Sequence, residues 1–297
     1  LKAKFGKFIM VNTNFGRINH IEGFNYVIGL RKARGIVKTA AAQARAKRLD
    51  HFVRQNFEGL MAALPAIEEA LPNHAVIIRP HPSENHATWQ FAARGLNRTQ
   101  VIADGNALPW IMGADAVVHN SCTTAVEAFM LDTPRVAYRP YQKEEFDTAL
   151  PNLVSATATS PAELGKTLAA LVENQTQQLD DEINTAIKSY ISGLEGKLAC
   201  DNILTALDGV EVPIRGFFQT FFHRLNGLAI RGSRPLRHLL NPTAQSKTYS
   251  RQKFNSLSAA EISIILGRLS KVSDRFAQVN ANPVPGTKTC YRITATV

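Results

Sequence analysis

The stretch Ala114–Pro140, ADAVVHNSCTTAVEAFMLDTPRVAYRP, decides the fold. It opens on a short apolar run, Ala116 to Val118, and passes through the polar turn His119, Asn120 and Ser121. A segment of helix formers follows from Cys122 to Leu131, and then a second apolar run from Arg135 to Tyr138. The spacing predicts strand, turn, helix and strand. Strands that are apolar without alternation are buried on both faces, as in parallel sheets. Such a unit sets small hydroxyl and amide side chains, with unpaired backbone N–H groups, where a parallel strand ends and a helix begins. That corner favours an anion, a phosphate above all.

The same alternation runs through the chain before and after this stretch. Phe8 to Val11 reads as a buried strand, closed by the turn Asn12 to Gly16, so that Asn14 and Arg17 stand at its carboxyl end. The next forty residues are helical and basic, and an amphipathic helix runs from Phe52 to Leu71, ended by Pro72. Val76 to Ile78 is the next strand and delivers Arg79-Pro80-His81-Pro82-Ser83-Glu84, where two prolines stiffen the backbone around His81. Further strands are expected at Val101 to Ala103 and Leu153 to Ala156, with helices from Asn85 to Gly95, from Leu108 to Met112 and from Pro161 onward. Six apolar strands alternating with helices define an α/β fold with a doubly wound, Rossmann-like parallel sheet.

Past residue 179 the character changes. We read residues 1–208 as the Rossmann-like domain and 209–297 as a helical, basic and aromatic C-terminal extension. Within the extension, Phe217, Phe218, Phe221 and Phe222 are flanked by Arg215, Arg224 and Arg231. This stretch, 212–250, reads equally as a segment lying in an anionic membrane interface or as a face packed on a partner domain. Ser258 and Glu261 have the spacing of a capping box for a helix to Leu269, and Tyr291 to Thr296 has strand character. The start at Leu1, almost directly on a strand, reads as a fragment that lacks an N-terminal part.

The 297 residues carry 34 Lys and Arg against 24 Asp and Glu, a net charge of +10, which favours acidic partners such as nucleotides or an anionic membrane. Nucleic acid is not favoured, because the basic helical stretch lacks aromatic stacking residues and any RNA or DNA motif. Three widely spaced cysteines without a CxxC argue against a disulfide framework and for a reducing cytosol. No apolar run is long enough to span a bilayer, and no signal peptide opens the chain. No GxxxxGK[ST] or GxGxxG occurs and no cluster has metal-ligand spacing, so neither a metal nor an organic cofactor is expected.

The candidate site lies outside the carboxyl ends of the strands, where open parallel sheets bind ligands. Thr123 and Thr124 precede Glu127 by one turn, so two hydroxyls and a carboxylate share a helix face. Hydroxyls and N–H groups suit a phosphate, while the carboxylate suits a ribose diol; a nucleoside phosphate meets both demands. His81, beside Arg79, is the candidate catalytic group, a donor to a departing phosphate. Arg79, Asn120, Ser121, Thr123, Thr124, Glu127, Asn14 and Arg17 make up the candidate nucleotide and phosphate seat. The plainer alternatives are that Asn120 or Ser121 is an N-cap, Glu127 a dipole-compensating acid, His119 a strand closer and Cys122 a small buried residue.

VNTNFGRINH (11–20), RPHPSEN (79–85), the stretch 114–140 and, in the tail, SRQKF (250–254) resemble the nucleotide-binding, C-terminal half of the GT-B glycosyltransferases, specifically the bacterial surface carbohydrate biosynthesis proteins. The His-Pro dipeptide followed by a hydroxyl-rich turn is similar to bacterial sialyltransferases and capsule Kdo transferases, which use CMP-linked sugars. Polyol-phosphate transferases of wall teichoic acid synthesis are resembled less closely. The resemblance implies that His81, Ser121, Thr123 and Thr124 contact the leaving nucleotide's phosphate and that Glu127 lies near the ribose. Where those families carry a hydroxyl pair, this chain has Ser121-Cys122-Thr123-Thr124. It further implies a nucleotide-sugar donor, a polysaccharide or glycolipid acceptor, an acceptor domain outside this chain, and a cytoplasmic location at the inner membrane face. A UDP-sugar transferase, a CDP-polyol phosphotransferase, or a non-catalytic nucleotide-binding subunit are the alternatives on the same fold.

Overall fold

The computed structural model describes residues 1–174, 181–191, 196–197, 199–208, 210, 226, 257–272, 278–284 and 290–295. The chain divides into two compact units, Leu1–Ala244 and Gln245–Val297. After a short helix α1 (Lys2–Phe5), the first unit is built on β1 (Phe8–Asn12), which is buried along its whole length. Two helices, α2 (Phe24–Ala33) and α3 (Ala40–Ala70), lead to β2 (Ala75–Arg79). Then α4 (His86–Ala92), β3 (Thr99–Val101), α5 (Leu108–Gly113), β4 (Ala116–His119), α6 (Thr124–Met130) and β5 (Arg135–Tyr138) alternate. The sheet closes with α7 (Ala149–Leu153), β6 (Ala156–Ala158) and α8 (Pro161–Asn174), followed by α9 (Asp181–Tyr190) and α10 (Ala199–Asp208).

All six strands are parallel, in the order β3-β2-β1-β4-β5-β6. The doubly wound α/β sheet is therefore present, and its order reverses between β1 and β4. Because side chains alternate along a strand, Ile9 and Val11 face one layer while Phe8 and Met10 face the other. The first layer packs β1, β2, β4 and β5 against Leu60, Leu64 and Ile67 of α3, Trp89 of α4, and Leu164 and Leu168 of α8. The second packs Phe8, Met10, Ile77 and Val117 against Trp110 and Ile111 of α5 and Ala128 of α6. Each such fully buried aliphatic or aromatic side chain contributes roughly 1.5–3 kcal/mol.

Register decides what reaches the carboxyl edge. Asn12 pairs with Arg79 on one side and with His119 on the other, so three polar residues stand abreast where β2, β1 and β4 end. Helix α3 also overshoots the sheet. Its 31 residues measure about 46 Å, whereas a five-residue strand spans about 17 Å. Its buried positions begin only at Phe52, so the first third projects past the carboxyl edge beside α2.

Two sequence expectations shift. The strand expected at Leu153 to Ala156 is displaced to Ala156–Ala158: Leu153 ends α7, and Val154 is buried against Ala125 and Ile187 in a third small cluster. A four-residue apolar run does not distinguish a strand from a buried helix end, and Pro151 is tolerated in a first helical turn. The third strand begins two residues earlier than expected, at Thr99, whose hydroxyl donates to buried Glu68 at 2.6 Å.

The second unit pairs α11 (Ala259–Leu269) with an antiparallel hairpin, β7 (Val279–Pro283) and β8 (Tyr291–Ala295). The expected capping box is present, with Glu261 N–H donating to Ser258 Oγ at 3.3 Å and Ser258 N–H to Glu261 Oε2 at 2.7 Å. The described part of the extension is thus a helix with a hairpin: β8 falls on the run Tyr291 to Thr296 that has strand character, whereas β7 has no sequence signal because VNANP is poor in strand formers. The aromatic and basic stretch 212–250 lies outside the described residues, Asn226 excepted.

Gly59 on α3 meets the loop after β5, where an added Cβ would stand 2.7 Å from Pro140 Cγ. Alanine gains about 1 kcal/mol in helix propensity, but overpacking against a rigid ring costs typically 1–3 kcal/mol. Gly59→Ala should therefore lower stability by up to about 2 kcal/mol in urea unfolding; a stabilised variant would show that α3 has room to move away.

Candidate functional site

The candidate site lies beyond the carboxyl ends of β2, β1 and β4, where the strand order reverses. Asn12 closes β1, and its Nδ2 donates to Thr124 Oγ1 at 3.1 Å and to Cys122 Sγ at 3.2 Å. The amide thereby pins the first turn of α6 to the central strand. One residue further on, Thr13 is buried and Asn14 is exposed at the crevice.

His119 is fully buried at the end of β4. Its Nδ1 accepts from Cys122 N–H at 3.4 Å. Ser155 donates its hydroxyl to Pro151 O at 2.8 Å, so the Ser155 oxygen accepts from His119 Nε2–H at 2.9 Å. The imidazole is neutral with a fixed tautomer. Burial pushes its pKa down to about 3, with Arg135 and Arg139 adding to the effect. His119 therefore closes the strand and holds the turn that follows. In that turn Ser121 adopts a left-handed backbone with φ 48° and donates its hydroxyl to Asn152 Oδ1 at 3.1 Å. A non-glycine residue there costs roughly 1–2 kcal/mol, which the bond to Asn152 offsets in part.

On the other flank, Glu84 organises the loop that carries His81. The carboxylate has no solvent exposure. Its Oε1 accepts from Thr13 Oγ1 at 2.7 Å and from His81 N–H at 3.0 Å, and its Oε2 from Trp89 Nε1–H at 2.9 Å. Burial raises its pKa, opposed by hydrogen bonds from Thr13, Trp89, His81 and Phe15. The loops after β1 and β2 are also zipped by backbone bonds, Ile21 N–H to Ser83 O and Asn85 N–H to Asn19 O, both 2.8 Å.

Within this frame, Ser83 N–H donates to His81 Nδ1 at 3.1 Å, and Ser83 Oγ lies 2.7 Å from the same nitrogen. Since Nδ1 accepts, the neutral ring carries its proton on Nε2. Thr123, immediately before α6, and Glu127 on it are exposed, and Thr124 is half-buried against Asn12. His81, Asn14, Thr123 and Thr124 are thus brought to three adjacent strand ends, with Glu127 one helical turn along.

Three other expected contacts are committed elsewhere. Arg79 is buried, donates to the carbonyls of Ile102 (3.3 Å), Asp104 (3.0 Å) and Gly105 (2.9 Å), and stacks 4.7 Å over the Trp110 ring. Burial lowers its pKa to about 10, with Asp104 opposing, so it stays charged while stitching the loop after β3 to β2. The Asn120 amide donates to Tyr138 O at 2.8 Å and to Asn56 Oδ1 at 3.2 Å, tying β4 to β5 and α3. Arg17 turns away to Asp50 on α3 at 2.7 Å, which Arg31 also binds at 2.8 Å.

Asn12 and Glu84 were the determinants that sequence reasoning passed over. Each left a trace: a polar residue ending an otherwise apolar strand, and an acid three residues after His81 in a proline-stiffened loop. Among the described residues, no group of three or more His, Cys, Asp or Glu side chains is placed to hold a metal ion, and no helix is long and apolar enough to cross a membrane.

No protein-family model matches the chain, and no curated protein matches it. Among solved structures, one of the wall teichoic acid polymerase TagF, soaked with CDPG, is similar over 62% of this chain at 13% identity and a TM-score of 0.37. The chain spans 38% of the length of that structure. A likeness of that size carries nothing about binding or chemistry, which rest on the residues themselves.

Two outcomes are expected. The folded state disfavours protonated His119, so below its unfolded pKa of 6.5 the unfolded chain binds a proton that the folded chain refuses. This contribution is complete above pH 6.5 and is lost as pH falls toward 3; the shift is worth roughly 5 kcal/mol. His119→Gln should flatten the pH dependence of the urea midpoint across that window, and an unchanged slope would exonerate the imidazole. At Gly16 an added Cβ would lie 2.1 Å from Ser83 Oγ. Gly16→Ala should displace that hydroxyl, shift the His81 ring nitrogen NMR signals and leave global stability within about 2 kcal/mol; unshifted signals would show that Ser83 does not hold the ring.

Proposed function

We propose that the crevice beyond β1 and β4 seats the nucleotide of an activated sugar, and that this chain is the donor-binding half of a GT-B-type glycosyltransferase for a bacterial surface polymer. One arrangement carries the reading. His81, its proton held on Nε2, and the hydroxyls of Thr123 and Thr124 stand on strand ends either side of exposed Asn14, where the strand order reverses. Ligands of open parallel sheets bind at that switch point.

In sugar transfer the bond between the anomeric carbon and the phosphate oxygen breaks, and negative charge grows on the departing phosphate. Donors fixed in advance toward that charge stabilise the transition state more than the ground state. His81 Nε2–H and the threonine hydroxyls are such donors. Glu127, set back along α6, is available to accept from a ribose diol rather than to repel the phosphate. With Arg79 committed to three carbonyls, the leaving charge is met by the imidazole, hydroxyls and loop N–H groups, a set better matched to one phosphate than to two.

The donor favoured by this reading is a CMP-linked acidic sugar such as Kdo. The acceptor is a polysaccharide or glycolipid, and the group that activates it belongs to a second domain. The basic excess suits both an anionic donor and a location at an anionic membrane face.

Calorimetry with CMP, CDP, UMP and UDP tests the proposal. CMP should bind most tightly, and Thr124→Val or His81→Ala should weaken it by about tenfold, the equivalent of one charge-assisted hydrogen bond. Tighter binding of CDP or UDP would move the donor to the diphosphate-linked class, and no binding of any of the four would sink the reading.

A further inference from the structure

A cavity of about 730 Å³ lies between α2 and the projecting third of α3, and its lining includes none of His81, Asn14, Thr123, Thr124 and Glu127. That is the size of a small-molecule pocket. Its lining includes the apolar side chains Phe24, Ile28 and Val37. It also includes Lys32, one turn beyond Ile28 on the same face of α2, with Lys47 and Arg54 from α3, and among the described residues none of these three cations is paired with a carboxylate. Arg54 instead lies 5.8 Å from the centre of the Phe24 ring, placing a cation directly at the border of the apolar wall. The one acid in the lining, Asp50, is occupied by Arg17 and Arg31. It therefore neutralises neither the lysines nor Arg54.

A solvated basic helix face accounts for exposed lysines but not for an apolar hollow left open between two helices. Apolar surface facing a hollow gains nothing until something fills it. Clustered cations beside it favour an anion whose charge sits at one end of an apolar body. We propose that this cavity binds a single-chain amphiphile with a phosphate head, the chain against Phe24, Ile28 and Val37 and the head between Lys32, Lys47 and Arg54. The concave shape selects one molecule rather than a flat bilayer surface. Direct binding reads this out, so it stands or falls independently of whether the crevice takes a nucleotide.

Calorimetry of the full chain with dodecyl phosphate, kept below its micellar concentration in about 0.15 M salt, provides the test. Saturable binding near micromolar Kd is expected, with inorganic phosphate and dodecyl maltoside, each lacking half of the chemistry, weaker by at least about tenfold. Combined Lys47→Glu and Arg54→Glu, both at exposed positions, should weaken dodecyl phosphate by a similar factor. Ile28→Trp, which fills the hollow, should do the same. If the tryptophan variant fails to fold, the charge-reversed protein still decides. Wild-type affinity in the charge-reversed protein, inorganic phosphate binding as tightly as dodecyl phosphate, or capture by phosphatidylglycerol vesicles without binding of the dispersed amphiphile would each overturn the assignment.

Discussion

Three polar side chains end three buried strands side by side, and the rest of the carboxyl edge follows from having to satisfy them. An unpaired polar group buried in apolar surroundings costs about 1–3 kcal/mol by mutational measures, and a charged one more. Arg79, Asn12 and His119 share a register, yet each finds partners in a different direction. Arg79 reaches outward to the loop after β3, Asn12 forward to the first turn of α6, and His119 sideways to Ser155 beyond α7. The loops around the head of β1 are thereby drawn to fixed places by polar bonds as well as by their own apolar residues, such as half-buried Ile102 and buried Val154.

Glu84 extends the same logic one layer outward. A carboxylate with no exposure is stable only when donors surround it, and here the donors come from the loop after β1, the His81 loop and α4. Holding His81 and closing the sheet are consequently one network. It also divides labour between the two histidines at the edge. His119 is sealed and electrically silent, whereas His81 has its ring set by Ser83 in a loop that is only half-buried.

The sheet was legible because strands covered on both faces write themselves as continuous apolar runs, and FIMV, VII and AVV do so without ambiguity, with VAY behind Arg135 completing the fifth strand. The sixth strand was displaced because Leu153 and Val154 are equally apolar whether they sit in a sheet or under a helix. At the site, residue types at strand ends were a sound guide to where polar groups gather. They said less about which way each group faces. Arg79, Asn120 and Arg17 stand at the expected strand ends but turn inward or aside, since an arginine or asparagine near a sheet edge satisfies carbonyls and carboxylates as readily as an anion. Orientation depends on partners distant in sequence, such as Asn56 and Asp50, which no local pattern reveals.

Helix α3 behaves mechanically as a cantilever. It is clamped from Phe52 onward by the core, and its overhanging third is guyed on two sides. One stay is Asp50 with Arg17 and Arg31, largely shielded from solvent; the other is exposed Glu145 with Arg45 and Arg48 at 3.1 and 3.2 Å. Exposed ion pairs are worth at most about 1 kcal/mol and are screened by salt, while shielded ones keep their strength. Rising salt should therefore weaken the stay on the β5 side more than the stay toward α2, leaving Phe146, packed on Phe52 and under Arg45, to carry more of the hold on that side.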